Sequence, residues 1–146
     1  MNEDLLQVRN WCFGNRLLLN PDKTKLIVFR SRQMTSKRHE FHLSLLGKDI
    51  SPVQSARDLG VILDPNLTFD NHITTAVSEC IVRLALINRV KHCLDKNTLL
   101  TVIHTLVFSK MYYCSNVWAN ITNKNVRKLQ AVQNFACRIV SGEKKI

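Results

Sequence analysis

Apolar residues recur at Leu5, Val8, Trp11 and Cys12, the spacing of one helical face. Asn2 is placed to cap that helix, and Glu3 and Asp4 fall in its first turn, where they complement the helix dipole. Gly14-Asn15 supplies a stop. Asn20-Pro21-Asp22-Lys23 has the composition of a turn. Lys25-Leu26-Ile27-Val28-Phe29-Arg30 then reads as a short, nearly continuous apolar strand, expected to be covered on both faces. Residues 31–40 are polar and basic, a loop. His42-Leu43-Ser44-Leu45-Leu46 and Asp49-Ile50-Ser51 flank Gly47-Lys48 as a hairpin would. A further strand is expected through Asp58-Leu59-Gly60-Val61-Ile62-Leu63-Asp64, stopped by Pro65-Asn66.

Beyond that point the period changes from two to 3.6. Ile73, Val77, Cys80, Ile81, Leu84, Ile87 and Leu94 mark one face of a long helix starting near Asp70 or Asn71. A second helix follows a cap at Asp95 or Asn97. Its apolar positions (among them Leu99, Leu100, Ile103, Leu106, Val107, Met111, Tyr113, Val117 and Trp118) surround most of its circumference, which predicts the most buried helix of the chain. A third runs from Thr122 to a stop at Gly142, with Val126, Leu129, Val132, Gln133, Ala136, Ile139 and Val140 inward. One early helix and antiparallel strands followed by three successive helices define an α+β chain. The expected units are residues 1–69 and 70–146.

The 146 residues can bury one core or two small ones, and 45% hydrophobic with 22% charged residues is the composition of a folded chain. The balance of charge adds something periodicity does not. The net charge is +10, and the excess sits in two zones. Residues 14–40 carry seven cations against two carboxylates, and residues 121–146 carry six against one. Two separated basic zones suit a polyanion, nucleic acid being the commonest, although a soluble basic surface has the same composition. The five cysteines are odd in number and form no C-x-x-C pair. They read as reduced, buried small hydrophobes of an intracellular protein, nuclear or cytoplasmic. The acidic Met1-Asn2-Glu3-Asp4 opens no long apolar run, and the apolar stretches are interrupted by Arg83, Asn88 or Lys110, so neither a secretory leader nor a membrane span is expected.

Four segments occur in a fixed order. They are Leu5-x-x-Val8-x-x-Trp11-x-x-x-Asn15-x-Leu17-x-Leu19-Asn20-x-x-Lys23-Thr24-x-x-x-x-Phe29; Asp58-Leu59-Gly60-Val61-x-Leu63-Asp64-x-x-Leu67-x-Phe69-x-x-His72-Ile73; Tyr112-Tyr113-x-x-x-x-Trp118; and Leu129-Gln130-x-x-Gln133-Asn134-x-Ala136-x-Arg138. Together they resemble the reverse transcriptase of non-LTR, LINE-type retrotransposons of the jockey kind. The resemblance runs through nearly the whole chain but covers only the last part of that enzyme domain. It implies a short palm-derived helix with antiparallel strands, then a three-helix, thumb-like bundle that would embrace a template–primer duplex.

The same resemblance implies site residues. Lys23 falls on a palm lysine that in such polymerases lies near the departing pyrophosphate, where a cation offsets developing charge. Without the rest of an active site, a solvated turn lysine beside Asp22 is the preferred reading here. Leu59-Gly60 matches the primer-grip hairpin, where a residue without Cβ lets backbone approach a nucleic acid strand, and where a packing bend would look the same. Independently of any family, Lys124, Arg127, Lys128 and Arg138 cluster on one side of the last helix at about 100° per residue. Arg127 and Arg138 lie ~16 Å apart along its axis. That row can follow phosphates or simply face solvent. The thumb resemblance favours sequence-independent, salt-sensitive phosphate contact.

Polymerisation needs divalent metals held by carboxylates, which in this family come from an upstream strand and a Tyr/Phe-x-Asp-Asp hairpin. No Asp-Asp pair occurs in this sequence. The expectation is therefore a truncated, non-catalytic product with no cofactor of its own, magnesium belonging to the parent enzyme. Its expected partner is an RNA–DNA or DNA duplex, bound weakly, with no small-molecule substrate. Cys93 with His92 or His104 offers no nucleophilic device, and Cys80, Cys93, His92 and His104 lack zinc spacing. Tyr112, Tyr113 and Trp118 could stack on bases but at helical spacing read as core. Two other readings stay open: a small basic helix-bundle module for interaction or nucleic-acid binding, and a relic without a retained role.

Overall fold

A computed structural model describes residues 2–30 and 43–142; the expected loop at 31–40, His42 and the residues after Gly142 lie outside the described residues. The chain forms two units, Met1–Leu67 and Thr68–Ile146.

In the first unit, helix α1 spans Asn2–Gly14. Asn15 closes it by donating both its backbone N–H (3.0 Å) and its side-chain amide (2.8 Å) to the Trp11 carbonyl. The hairpin of strands β1 (Leu43–Leu45) and β2 (Lys48–Ile50) pairs Leu45 with Lys48, so its two-residue turn is Leu46-Gly47, one position earlier than composition suggests. Both turn residues have positive φ, 53° and 78°, the backbone that matches the twist of a two-residue hairpin.

Two expectations for this unit need correction. The segment through Leu26–Arg30 is not a strand with both faces covered. It makes a single parallel bridge, Leu26 to Pro52, with the Leu26 carbonyl accepting from the Val53 N–H at 2.8 Å. Pro52 has no N–H to continue a ladder, and Phe29 stays exposed. The continuous strand expected over residues 58–64 is instead a second hairpin, β3 (Ala56–Asp58) and β4 (Val61–Leu63), turning at Leu59-Gly60. Leu59 (φ 43°) and Gly60 (φ 87°) repeat the Leu-Gly turn of the first hairpin. An uninterrupted apolar run hides such a turn, because leucine is not a residue that positive φ favours.

The second unit is helical. Helix α2 spans Asp70–Val90 and buries Ile73, Ala76, Val77, Cys80, Leu84 and Ile87 along one face. Ile81, expected inward, is exposed. The helix passes into a short 3₁₀ turn at Lys91–Cys93, which takes Leu94 off the helical face. Asp95 then caps α3 (Lys96–Ile103), its carboxylate accepting from Asn97 N (2.9 Å) and Thr98 N (3.1 Å). Helix α3 continues through a π-turn at His104–Phe108 into α4 (Ser109–Met111). After Cys114, held at φ 52°, comes the short α5 (Ser115–Trp118), and α6 spans Asn123–Ser141.

The π-turn has a reason in the sequence. The buried residues of this stretch are Leu99, Ile103, Val107 and Met111, spaced by four each time. In an α-helix each such step drifts by about 40°, or some 120° over three steps, and Met111 would leave the core. A wider π-turn removes that drift and keeps the four side chains in one line. Two carbonyls of the turn also accept from α2: Arg83 Nη1 donates to the Leu106 carbonyl, and the Cys80 thiol donates to the Val107 carbonyl at 3.6 Å. The segment is consequently not the all-round buried helix that its apolar content predicts. Leu100, Leu106, Tyr112, Tyr113 and Val117 are exposed.

The core of this unit lies where α2, the π-containing segment and α6 meet, centred on the fully buried Ile73, Cys80, Leu84, Val107 and Val132. Burying a Leu, Ile or Val side chain completely stabilises by roughly 1.5–3 kcal/mol, so each of the four aliphatic residues here contributes on that scale. Among the described residues no helix is long and apolar enough to cross a membrane.

Candidate nucleic-acid interface

Helix α6 contains no acidic residue and carries Lys124, Arg127, Lys128 and Arg138. Its orientation differs from the expected one. The residues turned to the core are Asn125, Val132, Ala136 and Ile139, while Val126, expected inward, is 48% exposed. On a helical wheel this moves the buried face by roughly 40° toward Asn125. The signal that periodicity missed is a polar residue. Asn125 is fully buried, and its Nδ2 donates to the Asp70 carboxylate at 2.6 Å. Its Oδ1 has no protein partner, which costs about 1–3 kcal/mol unless a water serves it. A charge-assisted bond between the first residue of α2 and the first turn of α6 sets the rotation of α6.

That rotation sorts the four cations. Lys124 and Arg127 are exposed. Lys128 is half-buried and donates to the Thr74 hydroxyl of α2 at 2.8 Å. The Arg138 guanidinium lies 5.8 Å from the centroid of its own neighbour Phe135, a cation–π contact. Among the described residues none of the four is paired with a carboxylate. The unit's described acids are used elsewhere: Asp70 by Asn125, Glu79 by Lys110 at 3.1 Å, and Asp95 by its cap. The Thr98 hydroxyl and the cap's backbone N–H groups hold the Asp95 carboxyl below its ordinary range.

In the first unit, Lys23 is exposed on a turn organised by Asn20, whose side-chain oxygen accepts from Asp22 N (2.9 Å) and Lys23 N (3.3 Å). Asp22 is not Lys23's partner. Its carboxylate receives the Lys48 ammonium, whose hydrogen bond and charge lower the Asp22 pKa. Leu59 and Gly60 form the tip of the second hairpin, and Leu59 is 84% exposed. Lys23 and this tip stand on separate turns, and the four α6 cations belong to the other unit.

Several residues of the ordered segments prove to be internal ties. His72 lies against the buried Trp118, ring centroids 6.0 Å apart, and Trp118 Nε1 donates to the Tyr113 carbonyl at 3.0 Å. Gln133 Nε2 donates to the Tyr112 hydroxyl at 2.9 Å, and Gln130 to Asn134 at 3.0 Å. Trp118 is therefore core, as its spacing predicts, whereas Tyr112 and Tyr113 are not. The Cys114 side chain beside Tyr113 raises that phenol's pKa. Among the described residues no three of the His, Cys, Asp and Glu side chains stand together as a metal site would require. The acids described above are committed to Lys48, Asn125, Lys110 and the α3 cap, so they do not fit a magnesium pair.

No family model and no solved structure matches the chain. It is similar to the probable RNA-directed DNA polymerase from transposon X-element of Drosophila melanogaster, 28% identical over 139 residues, which is 92% of this chain and 14% of that protein. It is also similar to the probable RNA-directed DNA polymerase from transposon BS of the same organism, 25% identical over 148 residues, covering 97% of this chain and 16% of the relative. The similarity supports a relationship to transposon reverse transcriptases. The chain spans about a seventh of the length of these curated relatives.

Proposed function

We propose that this chain is the palm-tail and thumb-like portion of a retrotransposon reverse transcriptase, and that it holds a nucleic acid duplex without polymerising. The observation that carries the proposal is α6: four cations on a helix free of acid, in a unit whose described carboxylates are all committed elsewhere. Such a surface contacts phosphates rather than base edges, so binding is independent of sequence and falls with salt. Lys124 and Arg127 reach outward and contact phosphate first; Lys128 and Arg138 extend the row at its flank. In the first unit the Leu59-Gly60 tip is a further candidate contact by itself, while Lys23 keeps the reading of a solvated turn lysine.

The catalytic inventory supports a holding role. No Asp-Asp occurs in the sequence, and the acids whose partners are described are engaged in cap and pair interactions. The test combines two measurements on the full chain. Binding to a mixed-sequence duplex should weaken steadily as salt rises, and primer extension on an RNA template with magnesium should yield no product. Binding that ignores salt would remove the phosphate contacts. Nucleotide incorporation would show that the carboxylate inventory had been misread. A small basic interaction module that binds no duplex is the competing reading, and undetectable binding at low salt would favour it.

A further inference from the structure

The outward side of α2 carries a second surface that duplex binding does not use. Val82, Leu86 and Val90 follow one another at i, i+4 and i+8, and they are 57%, 55% and 50% exposed. They form a line ~12 Å long on the side of α2 turned away from Ile73, Cys80 and Leu84. Leu106 is exposed beside it, since Arg83 of α2 donates to the Leu106 carbonyl. At one end a concavity of about 280 Å³ is lined by Ser78, Glu79, Val82 and Arg83. Three evenly stepped apolar residues with a neighbouring hollow are what a helix needs in order to lay its own apolar ridge into a groove.

Charge at the rim selects among occupants. Arg83 lies on one side of the line and Arg89 on the other, and the local carboxylate, Glu79, is neutralised by Lys110. A second copy of the chain would set the arginines of one copy against those of the other, a like-charge contact that disfavours self-association. A nucleic acid would have to desolvate phosphates against Val82 and Leu86, which no gain offsets. We infer that the Val82–Leu86–Val90 line is a docking surface for an acidic amphipathic helix of another protein, with its apolar residues on the line and its carboxylates toward Arg83 and Arg89. This inference does not depend on the duplex-binding reading.

The test uses the full chain and a fluorescent helical peptide with Leu at i, i+4 and i+8 flanked by Glu, read by anisotropy. Saturable binding is expected. The control is a peptide of the same composition in scrambled order, which keeps the charge but loses the ridge and should bind at least about tenfold more weakly. Leu86→Glu places a carboxylate on an exposed position, so the fold should persist by circular dichroism while peptide affinity falls about tenfold. Arg89→Glu should weaken the Glu-flanked peptide and strengthen a Lys-flanked one. Equal binding of the ordered and scrambled peptides would overturn the proposal, since the chain's net charge alone would then account for it. So would L86E binding like the wild type, L86E abolishing a dimer seen by sedimentation, or L86E abolishing binding to anionic phospholipid vesicles in place of the peptide.

Discussion

Replacing both outward cations of α6, in the double substitution Lys124→Ala and Arg127→Ala, should change the salt dependence of duplex binding by a definite amount. Both side chains are exposed, neither meets a carboxylate among the described residues, and neither supports the α2–α6 packing, so the fold should be retained. Each phosphate contact to B-form DNA contributes about 0.9 to the slope of log K against log salt, so losing two should flatten the slope by about 1.8. Between 50 and 200 mM salt, a fourfold range, that corresponds to about twelvefold less loss of affinity in the variant than in the wild type. Lys128→Ala and Arg138→Ala should each flatten the slope by less, because Lys128 is held by Thr74 and Arg138 by the Phe135 ring. Fluorescence anisotropy with a mixed-sequence duplex at several salt concentrations reads the wild type and the three variants. If the double variant keeps the wild-type slope, these cations do not touch phosphate and the proposed interface is wrong.

Three further outcomes follow from the geometry. Leu84→Ala, at a fully buried position of α2, should lower unfolding free energy by about 2–5 kcal/mol in a urea titration; a loss well under that range would mean the second unit is not organised around this core. Because the folded state depresses the Asp95 pKa, its cap stabilises fully above the ordinary carboxylate range and fades as pH falls through the depressed value; the difference in melting temperature between wild type and Asp95→Ala should therefore shrink below about pH 4. A constant difference down to low pH would contradict the capping account. Leu59→Asn, which tolerates positive φ, should raise stability by up to about 1 kcal/mol while weakening duplex binding if the tip meets nucleic acid; a gain in stability with unaltered binding would remove Leu59 from the interface.

Where local chemistry fixes a boundary, the sequence is a good guide. Gly14-Asn15, the Asp95 cap and Gly142, at φ 76° with its N–H on the Arg138 carbonyl, each stop or start a helix through a short-range effect that residue type reveals. The α+β content was legible for the same reason. The orientation of α6 was not, because a lone asparagine in an apolar pattern gives no sign that a carboxylate 55 positions away will bury it. The resemblance implies a hairpin at Leu59-Gly60, but the apolar pattern alone reads as one strand, because Leu59 occupies a turn position through tertiary constraint rather than propensity. The candidate cations were identifiable one by one, but which of them reach outward depended on the α6 rotation.

The ties among His72 and Trp118, and Gln133 and Tyr112, give the ordered segments a structural meaning. These side chains brace the helices of the second unit against one another.

The π-turn at His104–Phe108 carries a consequence for chain length. A π-turn is an α-helix with one residue too many, so a kindred chain lacking a single residue here could straighten to ordinary helix and still bring its counterpart of Met111 to the core. The segment works as an expansion joint, able to absorb the gain or loss of one codon. Elsewhere along a buried helix the same change would turn every later side chain by about 100° and empty the core.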